Sequence, residues 1–444
     1  MSLRVLLSVL VLVACAHAPP RVESPPAPAE AVAPAPAPAA EPAAAPAEPV
    51  PAEEPEEAAP LPEPEAAQGE PAPAVSEASP PPSAPAPVLT LELRPVKTLS
   101  GAVAPKSVAL SPDGRWAAVM NLEGMEAWLV DTSTLEIVRH IDFAPFKEAA
   151  PGWDYAKKKP IPSYAQKPVE AVFSNDSRHL WMSLHNAASV VVYDLEERDE
   201  VPPGVDSYRA MIREASGEKH VWRLPRIPTG KTPKVVEMTA DSRYVVVGNW
   251  HSGTVTVIDT ESLRPVANIQ SGASPGFIPR GLAISPDSQT VYVANMRGGT
   301  ISAIDLGTMR KVREEEVTPN PRHLALSRDG RTLFVSENAG GAVLKYDLPD
   351  RQILGRSAVG SQARTIALSH DERILFAVSN EDGKIVALRA ADLTPIYDAP
   401  FVAPMGVAVS PDDRRLWVTS YTGAGYLTVF DVVVNGAPAP QAMR

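Results

Sequence analysis

A segment repeated seven times after residue 100, a turn of constant chemistry inside each repeat, and a spare strand before the first repeat together predict an all-β fold. The expected architecture is a seven-bladed β-propeller of four-stranded antiparallel blades, closed by its N-terminal strand and preceded by a disordered stalk.

The seven stretches align on Asp113, Asp176, Asp241, Asp287, Asp329, Asp371 and Asp412. The last four anchors stand 42, 42 and 41 residues apart, while the first three gaps are 63, 65 and 46. The unit is therefore just over 40 residues, with insertions in the first two at residues 143–166 and 198–219. Each unit contains short alternating or β-branched apolar runs bounded by turn residues, the pattern of strands. The Ser-Pro-Asp-Gly junction at residues 111–114 is a tight turn: proline presets φ, aspartate bonds nearby backbone N–H groups, and glycine tolerates positive φ. A second strand follows, as at residues 290–294, then a polar hairpin. The third strand closes on Asp131, Asp194, Asp259, Asp305, Asp347 and Asp431, with Arg389 in the sixth unit. A short fourth strand, as at residues 264–269, completes a propeller blade, whose radial repetition limits exposed edges. Both aspartate series recur once per unit in turn contexts and are expected to be structural.

Ring closure follows from the ends. Residues 93–101 parallel residues 263–272, a fourth strand, whereas the seventh unit stops after its third strand near Val434. Residues 93–99 are therefore expected to pair with residues 426–432, which removes two free edges and puts the propeller at residues 89–434 with a short tail at 435–444.

The first 14 residues have one cation, Arg4, an apolar run to Val13 and the small Ala14, the pattern of a targeting segment. The run is shorter than the roughly 20 residues a membrane-spanning helix needs. Residues 15–88 begin at the only cysteine, Cys15, and are almost wholly Pro, Ala and Glu. That composition buries too little apolar surface to offset ordering entropy, so a disordered linker is expected. As polyproline II it would reach on the order of 200 Å. The linker also holds most of the acidity. Removing the 12 glutamates and 2 arginines of residues 1–88 from the 53 acidic and 41 basic residues leaves 41 and 39, a balance that argues against nucleic acid as a partner.

Leu12-Val13-Ala14-Cys15 resembles the lipobox of bacterial lipoproteins. The resemblance implies a lipidated Cys15, a membrane partner through that anchor, and a cell-envelope location. Ala16 in place of the aspartate common in inner-membrane lipoproteins favours the outer membrane, on its periplasmic or surface face. The run from Ser285 to Asp305, S-P-D-S-Q-T-V-Y-V-A-N-M-R-G-G-T-I-S-A-I-D, resembles the YVTN-type, YncE-like propeller repeats of envelope proteins. That family is specific for fold and loose for function.

Candidate chemistry gathers at one end of the expected channel. Seven residues before the anchors stand Lys106, Val169, Lys234, Arg280, Arg322, Arg364 and Met405, so five cations converge, with Glu170 to compensate. The same end receives the second hairpins, which bring Asn121, His185, Asn249, Trp250, His251, Asn295, Glu337, Asn338 and Asn380. Such a mouth suits a carboxylate or phosphate, oriented by the asparagines and Trp250. In the first insertion Phe143, Phe146, Trp153 and Tyr155 stand beside lysines, a composition suited to partner contact. Residues 207–215 in the second are expected to form a short helix. His185, His251 and His323 lack metal-binding spacing, and C-x-x-C-H, G-x-S-x-G and phosphate-loop signatures are missing, so no metal, cofactor or catalytic residue is assigned. The expected function is a non-enzymatic envelope module that binds a protein, glycan or small anion. The alternative is a propeller enzyme, lactonase-like or dehydrogenase-related, with its site at the same mouth.

Overall fold

Each of the seven turns is built the same way. In the computed structural model, which describes residues 89–154, 159–196 and 199–435, a hydroxyl two positions before each anchor donates to that aspartate at 2.5–2.6 Å. The residue after the anchor has positive φ in every repeat: Gly114, Ser177, Ser242, Ser288, Gly330, Glu372 and Asp413. Glycine adopts this conformation freely; elsewhere the hydrogen-bonded aspartate holds it. The third-strand aspartates likewise accept from the following turn, as Asp131 does from Ser133 and Thr134, and Asp305 from Thr308. In the sixth blade the polarity is reversed, and Arg389 pairs with Asp392 at 2.5 Å.

Between these turns lie regular blades, of which the fourth is representative: Pro279–Ile284, Thr290–Asn295, Thr300–Asp305 and Arg310–Glu316, each antiparallel to the next. The other inner strands are Pro105–Leu110, Pro168–Phe173, Pro233–Met238, Pro321–Leu326, Ala363–Leu368 and Pro404–Val409. They lie against one another in sequence order, and the seventh meets the first, so the ring is complete. At that seam a side chain on Gly406 would place its Cβ 2.8 Å from the Cα of Ser107, which only glycine avoids.

The N-terminal strand, Thr90–Ala102, is the fourth strand of the seventh blade and pairs with Gly425–Asn435 in the expected register, Leu93 opposite Val432 and Leu99 opposite Leu427. Its apolar residues enter two cores. Leu91 and Leu93 pack between the sixth and seventh blades, and Leu99 and Ala102 between the seventh and the first.

The second insertion differs from expectation. Residues 207–215 do not form a helix; Asp206–Glu214 is a strand. Tyr208, Ala210 and Ile212 are buried at every second position, a period of two that overrides the helix-compatible composition. This strand pairs with Lys219–Pro228, which is the fourth strand of the second blade, and on its other side with Glu136–Asp142, the outer strand of the first. Blades one and two thereby merge into one nine-stranded sheet over a shared core. The first insertion is no simple loop either, since Ala149–Asp154 and Lys159–Tyr164 form a hairpin. Cys15, the signal segment, the linker, Tyr155 and the tail beyond residue 435 lie outside the described residues.

Candidate functional site

The backbone at the start of each inner strand determines where the cations point. Six of the seven strands open on proline and one on Ala363. The preceding residue is left-handed in six cases: Ala104, Thr232, Ile278, Asn320, Gln362 and Ala403. In all seven blades a register shift follows within the first residues of the strand. A bulge of this kind re-aims the side chain it carries. The residue displaced is the one after the strand's first residue, hence Lys106, Lys234, Arg280, Arg322 and Arg364. Thr232 and Ile278 are β-branched, and their left-handed backbone is costly, a form of strain that functional sites retain.

These five cations meet around the axis with Glu170. Arg280 pairs with Glu170 at 2.9 Å, the two side chains 5% and 16% exposed. Among the described residues no carboxylate lies within ion-pair reach of Lys106, Lys234, Arg322 or Arg364. Lys106 instead points its ammonium at the Met405 sulfur, 3.4 Å away, and at the Tyr421 ring, while Lys234 lies 3.8 Å over the Trp250 ring. Burial and mutual repulsion lower Lys106, Lys234, Arg322 and Arg364. Lys106 falls well below its usual range through burial and then Arg322, Arg280 and Arg364. Lys234 does so through burial, Lys106, Arg280 and Arg322. Arg364 drops to about 10. Burial works to raise Glu170, but Arg280, His323 and the two lysines outweigh it and keep its carboxyl below the ordinary value.

Above the ring lies a cavity of about 680 Å³, within the usual range for small-molecule sites. Lys106, Lys167, Lys231 and Lys234 line it, together with His185, Trp250, His251 and Tyr421. Its one carboxylate, Glu123, is already paired with Lys167 at 2.7 Å. The Trp250 and His251 rings stack 12° from parallel, and the Thr232 hydroxyl holds His251 at 2.6 Å. Burial, then Lys234 and other cations, keeps His185 well below its usual range and therefore neutral. Pro151, Gly152, Ile161 and Ser163 of the first insertion's hairpin form part of the wall.

The expected site thus divides. Lys106, Lys234, Trp250 and His251 face the mouth cavity, and Glu170, Arg280, Arg322 and Arg364 form the ring beneath it. Asn295 is fully buried and donates to Thr300 and Ser302, so it fixes its own hairpin instead of orienting a ligand. Glu337 pairs with Arg356 at 2.8 Å, and Asn380 donates to the Pro404 carbonyl, tying blade six to blade seven. Of the insertion aromatics, Phe143 is fully buried in the blade-one core, and Phe146 lies under the Arg209 guanidinium. Trp153 is in the hairpin strand opposite Pro160. Sequence reasoning missed Lys167, Lys231 and Tyr421. Lys167 immediately follows the first insertion, which is the signal that marks it, whereas Lys231 lies in the connection from Lys219–Pro228 to the third inner strand. Among the described residues no three His, Cys, Asp or Glu side chains are arranged to hold a metal.

No protein-family model and no curated protein matches this chain. Solved structures do. Kuenenia stuttgartiensis hydrazine synthase is 16% identical with a TM-score of 0.57, over 75% of this chain and 96% of that one. The Myceliophteria thermophila Cps50 (Swd1) β-propeller domain is 11% identical with a TM-score of 0.58, over 77% of this chain and all of that domain. At these identities the likeness shows the propeller fold.

Proposed function

We propose that this propeller is a non-catalytic binding module that takes a small anion, bearing a carboxylate or phosphate, in the basic mouth of its channel. The observation that carries this reading is charge without a paired counter-charge: Lys106 and Lys234 border a ligand-sized cavity, already desolvated, and among the described residues no carboxylate lies within ion-pair reach of either. Desolvated cations are expensive, and an anion removes that cost. Trp250, His185 and His251 supply flat neutral walls that exclude water and strengthen the attraction.

Titration of citrate and of inorganic pyrophosphate into the full-length protein tests it by calorimetry. At least one is expected to bind saturably, more weakly at high salt. Lys106→Met combined with Lys234→Met is expected to weaken binding at least about tenfold, since a charge-assisted hydrogen bond contributes about 1.5–3 kcal/mol. Equal affinity in wild type and variant would overturn the proposal.

The same proposal puts the module in the cell envelope, among the YVTN-type propellers its repeats resemble, anchored by lipid on Cys15. The apolar run, the small Ala14 and the single cysteine support it. Cys15→Ser is expected to move the protein from the membrane fraction to the soluble one; unchanged fractionation would argue against a lipid anchor.

A further inference from the structure

On the turn side of the cation ring, facing away from the mouth, lies a second cavity of about 370 Å³. At about 30 Å³ per water it holds a molecule of roughly a dozen heavy atoms. Glu170, Glu237 and His323 line it, with Ser107, Thr365 and Asn175.

The repeat itself is an internal control on this cavity. Four residues before each anchor aspartate, the seven blades carry Ala109, Val172, Glu237, Ala283, Ala325, Ala367 and Ala408. A small apolar residue satisfies the fold there, and only the third blade departs from it, at the cost of burying a carboxyl. Glu237 keeps some accessible surface, which lines the cavity, yet burial dominates its environment. Among the described residues no donor or cation meets its carboxyl, and the one charge acting on it is Glu170, itself committed to Arg280. Burial and that repulsion push Glu237 up to about 8. A second polar group in the same cavity is also unmatched, for the Nδ1 of His323 is buried without a partner. Burial lowers this imidazole to about 4, with Arg280 and Arg322 adding to the effect against Glu170, so the ring is neutral and one of its nitrogens is an acceptor.

We propose that this chamber binds a small organic cation, a primary ammonium, with the Glu237 carboxylate as its counter-ion and the His323 ring and Thr365 hydroxyl as further acceptors. A divalent metal is a poorer occupant, because Ca²⁺ and Mg²⁺ need about six or more oxygen ligands, Zn²⁺ takes three or four protein ligands, and the described residues place no three ligating side chains together. The chamber is separate from the mouth, since the cation ring lies between them, no ring cation acts on Glu237, and Glu237 does not act on Lys106 or Lys234, although Glu170 reaches both sides.

The test is calorimetric titration of full-length protein at about pH 8.5, where Glu237 is mostly ionised, with n-butylammonium and its neutral counterpart 1-butanol. Saturable binding of the amine alone is expected, weakened at least tenfold in Glu237→Gln and in Glu237→Ala. Citrate binding at the mouth is expected to stay unchanged in both variants, which keeps failure here separate from failure of the mouth reading. Glu237→Ala places at this position the residue most other blades carry, so folding is retained if either variant melts cooperatively. No amine binding, equal binding of the alcohol, or undiminished binding in both variants would each overturn the proposal.

Discussion

Replacing Leu91, Leu93 and Leu99 together by alanine is expected to lower the melting temperature of this protein by about 10 °C or more. All three are nearly fully buried, at 9%, 7% and 7% exposure, and each truncation of a buried leucine costs about 2–5 kcal/mol. The effect is concentrated because the strand that carries them is the last part of the ring. It packs into the cores on both sides of the seventh blade and, among the described residues, supplies the partner for the outer edge of Gly425–Asn435. Loosening it exposes that edge as well as the apolar faces. The control is Val266→Ala with Val312→Ala, on outer strands of the third and fourth blades, where 51% and 62% exposure predicts a change within about 0.5 kcal/mol. A thermal melt followed by circular dichroism separates the two. A triple variant that melts like the control would mean that Thr90–Ala102 does not hold the ring shut.

Glu237→Gln is expected to stabilise the protein, and only in part of the pH range. In the unfolded chain the carboxyl titrates near 4.5, and in the fold near 8. Between those values the folded state holds a proton that the unfolded state has released, so stability falls as pH rises from about 4.5 to about 8 and is level on either side. The penalty has a ceiling of about 3 kcal/mol at pH 7, because water in the adjoining cavity solvates part of the charge. Glutamine removes the titration, so wild type and variant are expected to coincide at pH 4 and to diverge steadily above pH 5. Parallel melting curves across that range would show that Glu237 is not buried as the structure has it.

The fold was legible from the repeat because each turn is locally determined. The Ser-x-Asp hydrogen bond and the left-handed residue after it need only neighbours in sequence, and the closing strand carries the same Leu-Arg-Pro pattern as an internal one. The nine-stranded sheet was not legible, because the pairing of Asp206–Glu214 with Glu136–Asp142 is long-range and the segment's arginines, alanine and methionine suit a helix equally well. Only the alternation of Tyr208, Ala210 and Ile212 betrayed a strand. At the site, residues set by the repeated backbone were found by counting from the anchor, as Lys106 and Lys234 were. Asn295 and Glu337 recur in the hairpins but turn inward, which counting cannot reveal. Glu237 was not found from the sequence, although it is the one acidic residue at an otherwise small apolar position of the repeat, a signal that becomes meaningful once its cavity is seen.

The reading of the mouth as an anion site makes a further demand on its two lysines. Burial and neighbouring cations favour their neutral form, and an anion bound between them favours the charged one, so binding raises their pKa and takes up protons wherever the free lysines are partly neutral. Affinity then falls as pH rises through their folded titration range. Titrating citrate or pyrophosphate at a series of pH values from about 7 to about 10, each in two buffers of different ionisation enthalpy, measures this directly. Net proton uptake in the wild type, lost in the Lys106→Met, Lys234→Met protein, is the expected result. Binding with no proton uptake, or uptake that persists in the double variant, would contradict the assignment of the mouth as the site.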